Sequence, residues 1–183
     1  MAVRPVRVYG DPVLRVRARE ITDFDDSLRQ LVADMKETMV AYNGVGLAAN
    51  QVGVPQRVLV VDVPVDETTR VRHVLVNPRL SERKGSQEGE EGCLSIPGVY
   101  EDVKRAQSVR VRGLDADGRP LDLVVEGYLA RAVQHEVDHL DGVLFVDRIS
   151  ALKRALLKRK LEELARGELP EDFPPAAARG GRM

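Results

Sequence analysis

Apolar positions in the N-terminal part of the chain recur at the spacing of an α-helix. After the capping residues at 22–25, they fall three or four positions apart, at Leu28, Leu31, Val32, Met35 and Met39. Asn43 and Gly44 follow, and a glycine just past the last periodic residue is a common helix stop. The pattern predicts a helix whose two methionines belong to the hydrophobic core.

Short runs rich in valine and leucine fill the middle of the chain. The predicted strands are, in chain order, 57–63, 73–76, 108–113 and 121–125. The second run ends at Asn77-Pro78, and the third alternates valine with arginine, as a half-buried strand does. Asp117-Gly118 predicts a hairpin turn before the fourth. The polar segment 81–92, which contains three glycines, is predicted to be a loop.

Two further helices are predicted near the end of the chain, at about 127–141 and about 151–166, each followed by a glycine. The tail 171–183, rich in Pro, Ala, Gly and Arg, is predicted to be disordered. We therefore predict a single α+β domain over residues 1–170. In this domain antiparallel strands surround a central helix, with one helix before them and one at the C-terminal end.

Composition and net charge indicate which classes of binding partner are not expected. Among 183 residues, 43% are hydrophobic and 31% charged, and the net charge is -1. This balance gives no general reason to expect nucleic acid or an anionic membrane as the main partner. No apolar stretch approaches the roughly 20 residues that cross a bilayer, and the N-terminus lacks the apolar run of a signal peptide. With a single cysteine, we expect a cytoplasmic protein that binds no membrane and no specific nucleic-acid sequence.

The helix predicted at about 127–141 contains the motif H-E-x-x-H. His135 and His139 stand four residues apart on one side of the helix, where both imidazoles can bind one metal ion. Glu136 lies about 100° around the helix from His135, beside the metal and in the place of a general base. The opposite face is aliphatic, with Leu129, Val133, Val137 and Leu140. The pattern indicates a helix that packs on one face and lines a cavity with the other.

A catalytic metal ion needs a third protein ligand and an open position for water or substrate. His73 is the remaining histidine, and it lies inside a predicted strand. Cys93 follows Gly92 on a predicted loop, which makes it the better candidate. One thiolate with two imidazoles suits a borderline-soft divalent ion such as Fe²⁺, Zn²⁺, Ni²⁺ or Co²⁺.

Three segments together resemble the signature of the peptide deformylase family. They are Gly-Val-Gly-Leu-Ala-Ala-Asn-Gln at 44–51, Glu-Gly-Cys-Leu-Ser at 91–95 and Gln-His-Glu-Val-Asp-His at 134–139. They occur in the family's order and at about its spacing, and the similarity runs from residue 6 to the helix near 165. The resemblance implies a metal-dependent hydrolase that removes the formyl group from N-formylmethionyl peptides and releases formate.

The resemblance also implies a metal-binding and a proton-transfer role for matching residues. Cys93, His135 and His139 would hold the metal, with water in the fourth position. Glu136 would accept the water's proton and pass it to the leaving amine. The family commonly works best with iron, so Fe²⁺ is expected in vivo. Zn²⁺, Ni²⁺ or Co²⁺ are expected alternatives in purified protein.

The same resemblance implies how the substrate is held. The Gln51 side-chain amide and the Leu94 backbone N–H would stabilise the developing oxyanion. Gly46 joins this catalytic group, because the segment from Gly44 would pair with the peptide like an added strand. The expected substrate-binding residues are Gly44, Val45, Glu91, Tyr100, Tyr128, Arg131 and Ala132. Tyr128 departs from the Leu or Ile common in the family, and Tyr100 from the Arg of some members.

Two alternative functions remain open from the residues themselves. H-E-x-x-H also marks zinc endopeptidases, although these usually take their third ligand downstream rather than from an upstream residue such as Cys93. The second alternative is a non-catalytic, ribosome-associated metal-binding module, because the last helix is basic and could contact ribosomal RNA. Its basic residues are Lys153, Arg154, Lys158, Arg159, Lys160 and Arg166. Intact Glu136 and Gln51 argue for catalysis, with which ribosome contact can coexist.

Overall fold

The computed structural model describes residues 2–179. Its helices are α1 (Asp26–Ala41), α2 (Gly127–Leu140), α3 (Ala151–Ala165) and α4 (Ala176–Arg179). Its strands are β1 (Gly46–Ala48), β2 (Val58–Pro64), β3 (Arg70–Lys84), β4 (Gln87–Cys93), β5 (Ile96–Arg105), β6 (Ser108–Leu114) and β7 (Pro120–Glu126). The α+β class predicted from the sequence is confirmed.

The strands form two antiparallel sheets. The larger has the order β1-β2-β3-β6-β7, and the smaller is the hairpin of β4 and β5. The short β1 lies at one edge of the larger sheet, where Gly46 pairs with Val61. In the hairpin Gly92 pairs with Tyr100, and Cys93 pairs with Ile96 across the turn. The hairpin turn therefore fixes the position of the only cysteine.

Strand β2 lies between two helices, which explains its unbroken run of apolar residues. Its odd-numbered residues, such as Leu59 and Val61, belong to the buried cluster that contains Val133 of α2. Its even-numbered residues, such as Val58, pack in the cluster that contains Met35 of α1. Alternate residues of a strand point to opposite faces, so both faces of this strand must be apolar. Helix α2 is consequently buried from Ala130 to Leu140.

The predicted helices are confirmed, and two of them begin at side-chain caps. The Leu28 N–H donates to Oδ1 of Asp25 at 3.0 Å at the start of α1. The Lys153 N–H donates to Oγ of Ser150 at 3.2 Å at the start of α3. Such caps satisfy backbone donors that the first helical turn leaves free. Across residues 2–179, no helix combines the length and the apolarity that a membrane span requires.

Two predictions about the strands were wrong. The strand expected to end before Asn77-Pro78 continues through them to Lys84, with a register shift between Val76 and Arg79. The bulge accommodates a proline that cannot donate to the ladder. Asn77, at φ 51°, stabilises it by exchanging two hydrogen bonds of 2.8 Å with the Ile21 backbone.

The segment 81–92, predicted to be a loop, instead contains the end of β3 and most of β4, and β5 was not predicted at all. The polar composition led to the wrong prediction of a loop, because the buried side chains of this hairpin include charged ones. Glu91 on β4 and Arg105 on β5 are both buried and bonded to each other. An ion pair here takes the place of the apolar alternation that marks an ordinary half-buried strand.

The tail expected to be disordered from 171 forms, over 171–179, a turn and the short helix α4. The Phe173 ring packs edge-on against Tyr42, with ring centroids 5.7 Å apart. Phe173 and Ala178 also pack against the small apolar cluster around Val6. Residues 180–183 lie outside the described part of the chain. The apolar contacts explain why a Pro- and Ala-rich segment takes up a defined position.

Candidate active site

The three predicted metal ligands come together. His135 and His139 project from α2, with ring centroids 5.0 Å apart. Cys93 ends β4, and its Sγ lies 3.2 Å from Nε2 of His139. One ligand atom from each residue lies within 4.8 Å of the other two, and within residues 2–179 no other His, Cys, Asp and Glu group of this kind occurs. His73 lies elsewhere, on β3 opposite Val61.

The site's donor set and polar surroundings fit a divalent metal ion. One thiolate and two imidazoles are the ligands that borderline-soft ions prefer. Next to them, Oε2 of Glu136 is buried and has no hydrogen-bond partner among the described residues. A buried carboxylate oxygen without a partner is costly, which is typical of a site that binds a further group. Burial raises the pKa of Glu136 to about 7 and lowers that of His139 well below its usual value.

Glu91 lies behind His135 and orients its ring. Oε1 of Glu91 is 2.8 Å from Nδ1 of His135, and Oε2 accepts a hydrogen bond of 2.6 Å from Arg131. Burial alone would raise the pKa of Glu91, but hydrogen bonds from Arg105 and His135 lower it to about 2. An ionised carboxylate accepts a hydrogen bond from the Nδ1–H group, which leaves Nε2 of His135 free to bind a metal ion.

Arg105, at the end of β5, links this carboxylate to the far side of α2. Its guanidinium donates to both oxygens of Glu91, at 2.8 and 2.9 Å, and to Oδ2 of Asp138 at 2.6 Å. Arg148 donates to Asp138 in turn, at 2.7 Å. Arg105 was not predicted from the sequence, because no motif surrounds it and its strand was not predicted. The one available signal was that Glu91, two residues before Cys93, would need a cation as partner if it were buried.

Gln51 is held so that its amide nitrogen points toward the ligands. It lies in the 3₁₀ turn Ala49–Val52 that follows β1, and only 1% of its surface is exposed. Its Oε1 accepts the Ala48 N–H at 2.9 Å, while Nε2 donates to Ser95 Oγ at 3.1 Å and approaches Cys93 Sγ at 3.6 Å. The hydrogen bond from the Ala48 N–H fixes the position of the amide oxygen, so the amide nitrogen must face the site.

Gly46 brings the edge strand β1 directly against Glu136. A Cβ atom at position 46 would lie 2.6 Å from Oε1 and 2.9 Å from Cγ of Glu136, closer than real Cβ contacts. A Cβ at Gly44 would lie 2.8 Å from Cδ1 of Leu94. Both glycines therefore allow the backbone to approach the site more closely than any other residue would.

A cavity of about 630 Å³ opens over these groups. Every predicted site residue lines it except His139, which is almost fully buried beneath it. Tyr100 and Tyr128, 62% and 48% exposed, stand at its rim. Glu91 and Arg131 also line it, but their charged groups engage each other, so their role in substrate binding stays a prediction. Further lining residues that were not predicted from the sequence include Tyr42, Pro97, Pro170, Asp172 and Phe173.

Comparison with known proteins gives a consistent result. The family model described as polypeptide deformylase matches residues 3–155. The peptide deformylase of Alkalilimnicola ehrlichii is 53% identical over 166 residues, which cover 91% of this chain and 93% of that protein. The crystal structure of peptide deformylase from Thermus thermophilus has a TM-score of 0.84 and 46% identity, covering 90% of this chain and 99% of that one. The Ehrlichia chaffeensis enzyme in complex with actinonin has a TM-score of 0.84 at 35% identity, covering 93% and 100%.

Proposed function

This chain belongs to the polypeptide deformylase family, and we propose that Cys93, His135 and His139 hold its catalytic metal ion while Glu136 transfers the proton. The chain is a metal-dependent hydrolase that removes the formyl group from the N-terminus of nascent peptides. The convergence of the three ligand atoms beside a buried glutamate is the observation that carries the assignment of residues. A zinc endopeptidase and a non-catalytic module find no support in the family match.

We propose Fe²⁺ as the ion bound in vivo, with Zn²⁺, Ni²⁺ or Co²⁺ as alternatives in purified protein. The thiolate and the two imidazoles accept all four ions, and Glu91 supports one of the imidazoles from behind. When bound, the ion supplies a Lewis acid and an activated water molecule near neutral pH. The residues around the ion then determine which group takes up the proton and which groups stabilise the developing negative charge.

Glu136 is the general base and acid of the reaction. Its buried carboxylate has a pKa of about 7, which lets it take a proton and give it back near neutral pH. It accepts the proton of the attacking water as the new C–O bond forms on the formyl carbon. It then passes this proton to the amine as the C–N bond breaks, and formate and a free N-terminus result.

Gln51 and Leu94 stabilise the negative charge that develops on the formyl oxygen. The Gln51 amide nitrogen is fixed on the ligand side by the bond from the Ala48 N–H to the amide oxygen. The Leu94 backbone N–H follows Cys93 directly in the hairpin turn. Donors that are in place before the reaction need no rearrangement in the transition state, which is the main source of their effect.

The peptide substrate lies along Gly44, Val45 and Gly46, where two glycines allow backbone to approach backbone. Ala132 and Tyr128 of α2 line the same cavity and border the pocket for the methionine side chain. Tyr100 stands at the rim and contacts residues further along the substrate. Arg131 and Glu91 close the inner side of this pocket as an ion pair.

We also propose that the enzyme works in the cytoplasm and contacts the ribosome through α3. The exposed residues of this helix support that contact: Leu152 is 72% and Leu156 77% exposed, among basic side chains. Several of those basic side chains form ion pairs with acidic side chains of the same protein, among them Lys153 with Glu101 and Arg159 with Glu163.

The proposed function is tested by loading the metal-free protein separately with Fe²⁺, Ni²⁺ and Zn²⁺ under nitrogen and assaying a formyl-Met tripeptide. Metal-loaded wild type releases formate, whereas Cys93→Ala binds the ion weakly and releases little. A metal-loaded protein that cleaves internal peptide bonds and leaves the formyl group in place would overturn the assignment.

A further inference from the structure

The segment 170–175, here named the C-terminal strap, touches both sides of the substrate cavity. On one side, Pro170 lies against β5, since a Cβ at Gly98 would be 3.6 Å from Cγ of Pro170. On the other side, the ring of Phe173 packs edge-on against Tyr42, with centroids 5.7 Å apart. The strap therefore spans from the hairpin to the residue that follows α1.

The strap is held in this position from both ends. The Phe173 N–H donates to the Pro170 carbonyl at 3.0 Å, which closes a turn within the strap. The Ala178 N–H donates to the Pro175 carbonyl at 2.8 Å, and Ala178 packs on the apolar cluster of Val6 and Tyr42. These contacts hold the strap, which has the composition of a loop, in one position.

The strap also forms part of the cavity wall. Pro170, Asp172, Phe173 and Pro175 line the same cavity as Cys93 and Gln51. The family model ends at residue 155, so this part of the wall lies outside the segment that the model matches.

The strap lies at the rim of the cavity. Pro170 lies against Gly98, two residues before Tyr100, which is 62% exposed at the rim. Asp172 is exposed as well, whereas His139 is almost fully buried beneath the cavity. The formyl group must reach the metal ligands, and an extended peptide advances about 3.3 Å per residue. The strap is therefore reached by the residues that follow the methionine.

The exposed charged residues that line the cavity are acidic. Among the described lining residues, the exposed charged ones are Glu90 on β4 and Asp172 on the strap. The cationic lining residue Arg131 is buried and bonded to Glu91. A peptide with a positive side chain that reaches the rim therefore finds carboxylates as the exposed charged groups of the cavity lining.

We propose that the C-terminal strap forms an outer substrate subsite that binds the residues after formylmethionine and, through Asp172, favours a basic side chain there. The inference rests on the proposed function, because it uses the deformylase substrate and its direction in the cavity. It adds a specificity determinant that the metal site and the methionine pocket do not contain.

The first test compares the wild type with a chain that ends after Leu169. The substrates are formyl-Met-Ala, formyl-Met-Ala-Ala-Lys and formyl-Met-Ala-Ala-Glu, and kcat/KM is measured from free-amine release. Removing the strap lowers kcat/KM severalfold for the Lys tetrapeptide, mainly through KM, and leaves formyl-Met-Ala unchanged. A chain that ends after Arg179 is the control and behaves as wild type. Failure of the wild type on formyl-Met-Ala would instead count against the deformylase assignment itself.

The second test reverses one charge and keeps the fold. In Asp172→Lys, the preference for the Lys over the Glu tetrapeptide falls about threefold or more, as expected for an exposed charge pair. Glu168→Lys is the matched control, because Glu168 bonds to Arg166 outside the cavity and its reversal leaves the preference as it was. An equal loss on all three substrates, or a lower unfolding temperature with the preference unchanged, would show a purely structural segment and overturn the proposal.

Discussion

Oε1 of Glu91 lies 2.8 Å from Nδ1 of His135, although the two residues come from different elements, β4 and α2. The contact means that the segment carrying the proposed cysteine ligand also orients a proposed histidine ligand, since Cys93 follows Glu91 by two residues. The β4–β5 hairpin and α2 must therefore pack against each other before the proposed metal site can form. The site's geometry depends on this interface as much as on the ligands themselves.

Glu91→Gln is expected to lower metal affinity about 10- to 100-fold, the usual effect of losing a carboxylate partner of a histidine ligand. Glutamine can still accept one hydrogen bond, but it cannot stabilise the positive charge that the ring gains on metal binding. Competition with a chelator measures the affinity. Glu90→Gln, an exposed neighbour on the same strand, is the control and retains wild-type affinity. Equal affinities of Glu91→Gln and wild type would contradict this role.

Arg105→Met is expected to destabilise the protein by about 3 kcal/mol, because it leaves parts of two buried carboxylates without their cation. Glu91 and Asp138 both receive hydrogen bonds from this side chain, which is 5% exposed. Arg110→Met, at an exposed ion pair with Asp122, is expected to destabilise the protein much less, because solvent screens that pair. Urea unfolding of the two variants provides the comparison, and similar losses would mean that the buried network adds no stability of its own.

Periodic apolar patterns predicted α1, α2 and α3 and the strands around them, because each of these elements packs an apolar face on the core. The motif at His135 and His139 predicted that these two side chains lie together, because the spacing within one helix fixes their geometry. Arg105 and the hairpin could not be predicted in this way. Their buried side chains are charged, and their pairing joins positions distant in sequence. The strap was missed because its placement depends on tertiary contacts, such as that between Phe173 and Tyr42, which leave no periodic pattern in the sequence.

Gly46→Ala is expected to lower kcat/KM about 100-fold with little loss of stability. The new methyl group would lie 2.6 Å from Oε1 of Glu136 and must displace the carboxylate, and small displacements of a catalytic group have effects of this size. Gly89→Ala is the milder comparison, since its methyl group would meet the Arg131 guanidinium at 3.3 Å, where a shift of a few tenths of an ångström is enough. Steady-state kinetics on formyl-Met-Ala measure kcat/KM of both variants. Full activity in Gly46→Ala would be incompatible with the close approach of β1 to Glu136.

Asp147 is expected to contribute to stability at neutral pH but not in acid. Burial would raise its pKa, but hydrogen bonds from Arg15, the Leu144 N–H and Arg154 lower it below the usual value. A lowered pKa in the folded state stabilises the protein above the unfolded-state pKa of about 3.9, and this contribution is lost as the pH falls through the folded-state value.

Asp147→Asn is therefore expected to lower the free energy of unfolding by about 1 to 2 kcal/mol at pH 7, with a smaller difference below pH 4. Thermal or urea unfolding at several pH values measures it. Asp117→Asn, at a half-exposed pair with Arg29, serves as the control with little effect at either pH. A difference that does not change with pH would assign the loss to packing rather than to charge.

The most direct test of the account compares formate release by iron-loaded wild type and iron-loaded Glu136→Gln, with the iron content of both proteins measured in the same samples. Glutamine has nearly the shape of glutamate but cannot accept and return a proton. The account predicts equal iron content and a kcat about 10²- to 10⁴-fold lower in the variant. Formate release at the wild-type rate by Glu136→Gln would contradict the assignment of Glu136 as the group that moves the proton.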